Sequence, residues 1–167
     1  MSLKLNKEQL KDICNKIGFD VPINLERKNT LLTGKVNEIL RLKQKFKLNI
    51  LIVYPNTICS TKKIYKRNRV FSPLKNRKNF SIHKKELIID FLKREKNDLE
   101  KAVIKLHPKV SKIINFIKSQ NGCYFSRITG SGSACIGIFS NMETANYTKK
   151  LIKRKFPKYW CVTSKTI

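Results

Sequence analysis

The residues whose types and spacing best suit chemistry lie in Arg127–Phe139, which reads RITGSGSACIGIF. A β-prone approach of Tyr124, Phe125, Arg127 and Ile128 enters Thr129-Gly130-Ser131-Gly132-Ser133, and a second apolar run, Cys135–Phe139, follows at once. Glycines at 130 and 132 permit positive φ and leave no side chain between the backbone and a ligand. Successive amide N–H groups in such a turn can converge on an anion such as phosphate. The same spacing fits a plain tight connection between two strands, and both readings stay open at this point. A second candidate is Asp20 in Phe19-Asp20-Val21-Pro22, a carboxylate flanked by apolar residues just past a helix end. It reads either as an Asx-type turn holding the corner or as a carboxylate aimed at a substrate hydroxyl. Pro22 biases Val21 toward extended backbone.

Other reactive side chains form no constellation. Cysteines 14, 59, 123, 135 and 161 make no C-x-x-C pair and are odd in number. They read as reduced, mostly buried thiols, with no structural zinc expected. His83 and His107 have no neighbouring ligand cluster, so no metal site is expected.

The elements that must position these residues follow from periodicity and caps. Leu10, Ile13, Cys14 and Ile17 share one face of a helix over 7–17, with Asn6 as N-cap, Gln9 at N3 and Gly18 at the stop. Ile23–Leu25 and Thr30–Thr33 suggest short strands around a charged turn, and Val36–Leu40 a further short element. Asn49–Tyr54 is a clear β run ended by Pro55. Thr61–Lys66 reads as a brief helix and Arg67–Asn79 as a basic loop. Ser81 is placed to cap a helix to about Arg94, with Leu87, Ile88, Phe91 and Leu92 inward. Asn97-Asp98-Leu99-Glu100 starts another helix, with two carboxylates in its first turn. Pro108 opens a helix striped by Val110, Ile113, Ile114 and Ile117. Ser140 and Glu143 suggest a capping box for a helix to about Phe156, and Tyr159–Ser164 closes the chain as a strand. From Asn49 the order is strand, helices, strand, strand, helix, strand. That is a split βαβ pattern, an α+β, ferredoxin-like antiparallel sheet with helices on one face. Residues 49–167 are thus expected to form one domain. Residues 1–48 do not complete a domain of their own.

Composition sets the outer bounds. At 167 residues with 41% hydrophobic content the chain can bury a proper core. No apolar run is long enough to span a bilayer, and MSLKLNKEQL lacks a signal-peptide core, so the expected compartment is cytoplasmic. The net charge of +26 points toward nucleic acid, but the basic excess is spread along the chain. Its densest run is Lys62–Lys85, with ten basic residues and no acidic ones.

Four segments, taken together, resemble the GHMP kinases: LNKEQLKDICNKIGFDVPINL (5–25), YPNTICSTKKIY (54–65), NDLE (97–100) and RITGSGSACIGIF (127–139). They are most similar to the branch acting on 4-diphosphocytidyl-2-C-methyl-D-erythritol in non-mevalonate isoprenoid synthesis. The resemblance implies transfer of the γ-phosphate of ATP, with Mg2+, to a hydroxyl of that small-molecule substrate. It places the family's catalytic aspartate on Asp20 and its third motif on Thr129, Gly130, Ser131, Gly132 and Ser133, beside the phosphate-binding region. It makes 1–48 a remnant of the N-terminal kinase domain and 49–167 the C-terminal domain. The family's glycine- and serine-rich triphosphate loop has no counterpart here, and Phe19, Lys35 and Asn37 depart from small residues or glycines of the family. The chain alone is therefore expected to be inactive, with self-association or a separate N-terminal half as the expected partner and no membrane role. The alternative from another class is a basic nucleic-acid-binding module stacking bases on a ferredoxin-like sheet.

Overall fold

In the computed structural model, which describes residues 5–18, 21–26, 28–33, 38–43, 45–73 and 82–166, the stretch after Asn6 forms helix α1 (Lys7–Ile17). Its capping box is complete: the Asn6 side chain accepts from Gln9 N at 2.8 Å, and Gln9 Oε1 accepts from Asn6 N at 3.0 Å. Gly18 N–H donates to Cys14 O and ends the helix. Of the expected apolar face only Cys14 is fully buried, whereas Ile13 and Ile17 stay exposed. The described residues divide into two compact units, one drawn from Met1–Phe46 with Leu74–Ile82 and Ile167, the other from Lys47–Pro73 with His83–Thr166.

The first unit continues with α2 (Val21–Asn24) and an antiparallel hairpin of β1 (Thr30–Thr33) and β2 (Glu38–Arg41), in which Thr30 faces Arg41. The strand expected at Ile23–Leu25 is absent: Val21–Asn24 is helical, and a side chain takes the carbonyls of Pro22 and Ile23. Arg41 Nη1 donates to Ile23 O at 2.7 Å and Nη2 to Pro22 O at 2.6 Å, leaving a helical turn in place of the expected strand. The same guanidinium donates to Thr30 Oγ1 and lies 3.8 Å from the Glu26 carboxylate, so one side chain joins α2 to the hairpin. Asp20, with Phe19, Lys35 and Asn37, lies outside the described residues.

The second unit is a four-stranded sheet backed by helices. Its strands are β3 (Asn49–Tyr54), β4 (Cys123–Ile128), β5 (Cys135–Phe139) and β6 (Trp160–Lys165), in the order β4-β5-β3-β6 with every neighbouring pair antiparallel. This is the α+β, split βαβ arrangement expected from the sequence. Its helices are α3 (Thr61–Arg67), α4 (Lys85–Arg94), α5 (Glu100–Leu106), α6 (Pro108–Lys118) and α7 (Met142–Lys155). Alternation sends Leu51 and Val53 of β3, together with Cys135 and Phe139 of β5, into one core with Ile113 and Ile117 of α6 and Ile152 of α7. All four expected stripe residues of α6 are buried. Gly137 is required there: a Cβ on it would lie 2.5 Å from Ile117 Cγ2. No helix among the described residues is long and apolar enough to cross a membrane.

Three local expectations shift. Ser81 lies outside the described residues, and α4 starts after Lys84 with no side-chain cap. It buries Ile88 and Ile89 while Leu87 is exposed, so its inward face is turned from the expected one. Asn141, one residue beyond Ser140, caps α7 by accepting from Thr144 N at 2.9 Å. Asp98 stands before α5, where its carboxylate accepts from Ser72 N and Ser72 Oγ at 2.7 and 2.6 Å. Glu100 alone remains in the first turn.

The turned face of α4 predicts unequal costs for neighbouring substitutions in chemical denaturation. Ile88→Ala should destabilise by about 2–4 kcal/mol, and Leu87→Ala by less than about 0.5 kcal/mol. Burial also pushes the Cys135 thiol up to about 12 and the Cys123 thiol up to about 11. Unfolded thiols titrate near about 8.5, so above that pH the unfolded chain loses protons that the folded chain keeps. Stability is then full below about pH 8.5 and falls as pH rises toward the folded values. Melting curves between about pH 8 and 10 should fall more steeply for the native chain than for Cys135→Ala.

Candidate functional site

The loop Thr129–Ser133 joins β4 to β5, and its backbone closes on itself: Thr129 N donates to Ala134 O at 2.9 Å and Gly132 N to Thr129 O at 3.1 Å. Those bonds take two of the amides that would otherwise be available for an anion. The N–H groups of Gly130 and Ser131 have no acceptor among the described residues. Gly130 (φ +55°) and Gly132 (φ +76°) both hold left-handed backbone. Their surroundings differ. A Cβ on Gly132 would lie 3.0 Å from Val103 Cγ1, whereas one on Gly130 would meet nothing within 4 Å. Gly132 thus seats the loop on α5, and Gly130 keeps an open face.

Three further anchors fix the loop. The Ser133 side chain is buried and its hydroxyl donates to Thr57 O. Ser131 Oγ lies 2.9 Å from Thr61 Oγ1 at the start of α3. Asn97 Nδ2 donates to Gly130 O at 2.9 Å while its Oδ1 accepts from Leu99 N at 3.0 Å, and Glu100 Oε2 accepts from Ile128 N at 2.9 Å. Sequence reasoning alone gives Asn97 and Glu100 no such role. The signal present is their place in NDLE, one of the four segments that carry the resemblance.

Thr129 and Gly130 open onto a cavity of about 490 Å³ whose other walls include Tyr65, Phe71, Asp98 and Arg127. The Tyr65 and Phe71 rings stack, with centroids 6.3 Å apart and planes 25° from parallel, and both are about half exposed. Arg127 is fixed by donating to Leu92 O and Glu95 O, with its guanidinium 4.8 Å from the Phe125 ring centroid. Hydrogen bonds from Ser72 hold the Asp98 carboxyl below the usual carboxylate range. The cavity therefore combines the Gly130 backbone, a guanidinium and an exposed aromatic pair with the carboxylates of Glu95 and Asp98. Such a set suits a ligand with both a flat ring and an anionic group. Among the described residues no group of three or more His, Cys, Asp and Glu is placed to hold a metal ion.

The two glycines should separate in mutagenesis. Gly132→Ala, strained in φ and pressed on Val103, should cost about 2–4 kcal/mol in urea unfolding. Gly130→Ala, strained in φ alone, should cost about 1 kcal/mol. Equal losses would contradict the packing difference.

Comparison with known proteins gives this geometry a context. Residues 82–158 match the family model described as GHMP kinases C terminal. The chain is 33% identical over 166 residues to the 4-diphosphocytidyl-2-C-methyl-D-erythritol kinase of Pelagibacter ubique (strain HTCC1062), covering 99% of this chain and 57% of that protein. It is 30% identical over 169 residues to the kinase of the same name from Wolbachia pipientis wMel, covering 98% and 57%. The chain thus spans a little over half the length of these curated relatives. A crystal structure of 4-(cytidine 5'-diphospho)-2C-methyl-D-erythritol kinase superposes with a TM-score of 0.69 at 21% identity, over 92% of this chain and 56% of that one. At that identity the superposition speaks for the fold. The matched family model, the two relatives and the shared fold agree on one point: residues 82–158 are a GHMP kinase C-terminal domain.

Proposed function

We propose that this chain is the C-terminal part of a kinase that moves the γ-phosphate of ATP to a hydroxyl of 4-diphosphocytidyl-2-C-methyl-D-erythritol. The observation carrying this reading is the open face of Gly130 beside the Tyr65–Phe71 pair in one cavity. Phosphoryl transfer is mostly positioning and electrostatic stabilisation. The Gly130 and Ser131 N–H groups supply donors for phosphate oxygens, and the stacked rings offer a flat apolar surface to a pyrimidine. Asp20 is the proposed base: its carboxylate takes the proton of the substrate hydroxyl as that oxygen attacks the γ-phosphorus. Mg2+ bound with ATP would neutralise phosphate charge. Among the described residues no cluster of His, Cys, Asp and Glu is placed to hold it.

The family's triphosphate loop has no counterpart in the sequence, so the proposal includes a further segment or polypeptide that supplies it. The exposed Ile13, Ile17, Leu25 and Leu32 of the first unit are the surface such a partner would cover. The chain by itself is then inactive.

Coupled assay of ADP release tests the reading. The isolated chain should show no turnover of ATP with 4-diphosphocytidyl-2-C-methyl-D-erythritol. Co-expression with the N-terminal half of a related kinase should restore it. Asp20→Asn in the restored complex should lower turnover by about 10²–10⁴-fold. Substrate-dependent turnover by the isolated chain, or a restored complex indifferent to Asp20→Asn, would refute the proposal.

A further inference from the structure

A second cavity, about 840 Å³, lies between α3 and α5 on the second unit. Its walls carry Lys63, Lys66, Arg67, Arg69, Lys101 and Lys105, and no acidic residue lines it. All six cations are exposed. Beneath them Ile64 and Val103 are fully buried and belong to the unit's hydrophobic core, so the walls stand on packed helices. Among the described residues no carboxylate pairs with any of the six; the ion pairs of Glu26 with Lys28 and Arg41 belong to the first unit.

The arrangement is costly without an anion. Lys63 and Arg67 on α3, and Lys101 and Lys105 on α5, are like charges four residues apart on a helix, a spacing that repels. The two helices then add their rows to each other across one cleft. Nothing aromatic lines it, so it offers no platform for stacking bases. A concave trough does not lie flat on a bilayer, but it accepts the convex, evenly charged ridge of a phosphate backbone. An anion with phosphates in series meets more of these six cations than a single phosphate does.

We infer that the α3–α5 groove binds the sugar–phosphate backbone of nucleic acid without reading its sequence. This differs from base stacking on the sheet and is independent of the kinase reading. Each phosphate engaged releases counterions, so affinity must fall steeply with salt.

The test is fluorescence anisotropy of the full chain with a labelled, mixed-sequence DNA duplex between about 50 and 200 mM salt. A variant with Lys63→Gln, Lys66→Gln, Lys101→Gln and Lys105→Gln is compared with one carrying Lys109→Gln, Lys112→Gln, Lys150→Gln and Lys153→Gln, exposed cations of α6 and α7. Circular dichroism establishes that both are folded, and Lys101→Gln/Lys105→Gln serves as a milder groove variant. The groove variants should bind at least about tenfold more weakly, with the slope of log K against log salt reduced by about 0.9 for each phosphate no longer neutralised. The control should stay within about twofold of the native chain. Equal weakening in both four-site variants would overturn the groove in favour of diffuse charge. Competition by poly-glutamate as effective, charge for charge, as unlabelled duplex would overturn the assignment to nucleic acid. Inorganic triphosphate binding as tightly as the duplex would overturn the requirement for an extended backbone.

Discussion

The buried hydroxyl of Ser133 is the contact on which the second unit's chemistry rests. It donates to the Thr57 carbonyl, in a site from which water is nearly excluded. Losing a partner there would leave a buried polar group unsatisfied, at about 1–3 kcal/mol. Through this bond the β4–β5 loop is tied to the connection between β3 and α3. The glycine-bearing turn, the Tyr65–Phe71 pair and the basic wall of α3 therefore share one anchor. Gly132 pressed on Val103 and Asn97 bonded to the Gly130 carbonyl add the tie to α5. The loop is thus held from three sides, with the Gly130 face left open.

How much of this was legible depended on how local the cause was. The capping box of α1, the stripe of α6 and the succession of strands and helices from Asn49 are short-range patterns, and they read directly from the chain. Arg41 could not be seen in that way. It removes the carbonyls of Pro22 and Ile23 from strand pairing across a long stretch of sequence, and only the fold brings them together. The turned face of α4 and the cap at Asn141 are shifts of one position along a helix. Such shifts are decided by packing, which periodicity does not resolve. The glycines of the candidate site were legible as glycines. Which one packs and which one opens was not, because the distinction is made by Val103 on another element.

The charge has a similar lesson. The sequence shows +26 spread over the chain, and spread charge argues weakly for any one surface. Folding concentrates it. Two short helices distant in sequence lie side by side, and their exposed cations fall on facing walls. The aromatic pair at the neighbouring cavity sits near an amide turn. Two chemically different clefts thereby occupy one unit, one suited to a ring with an anionic tail, the other to repeated anions alone.

The order β4-β5-β3-β6 has a temporal meaning. β3, the earliest strand of the sheet, lies between β5 and β6, the latest two. During synthesis it has no neighbour to pair with until β5 has been made, and its other edge is closed only by Trp160–Lys165. Closing such long loops precedes any return from the contacts they bring together. Leu51 and Val53 therefore wait, exposed, until β5 and β6 have been made. A nascent chain stalled before Trp160 would present an apolar, half-paired strand to whatever surrounds it.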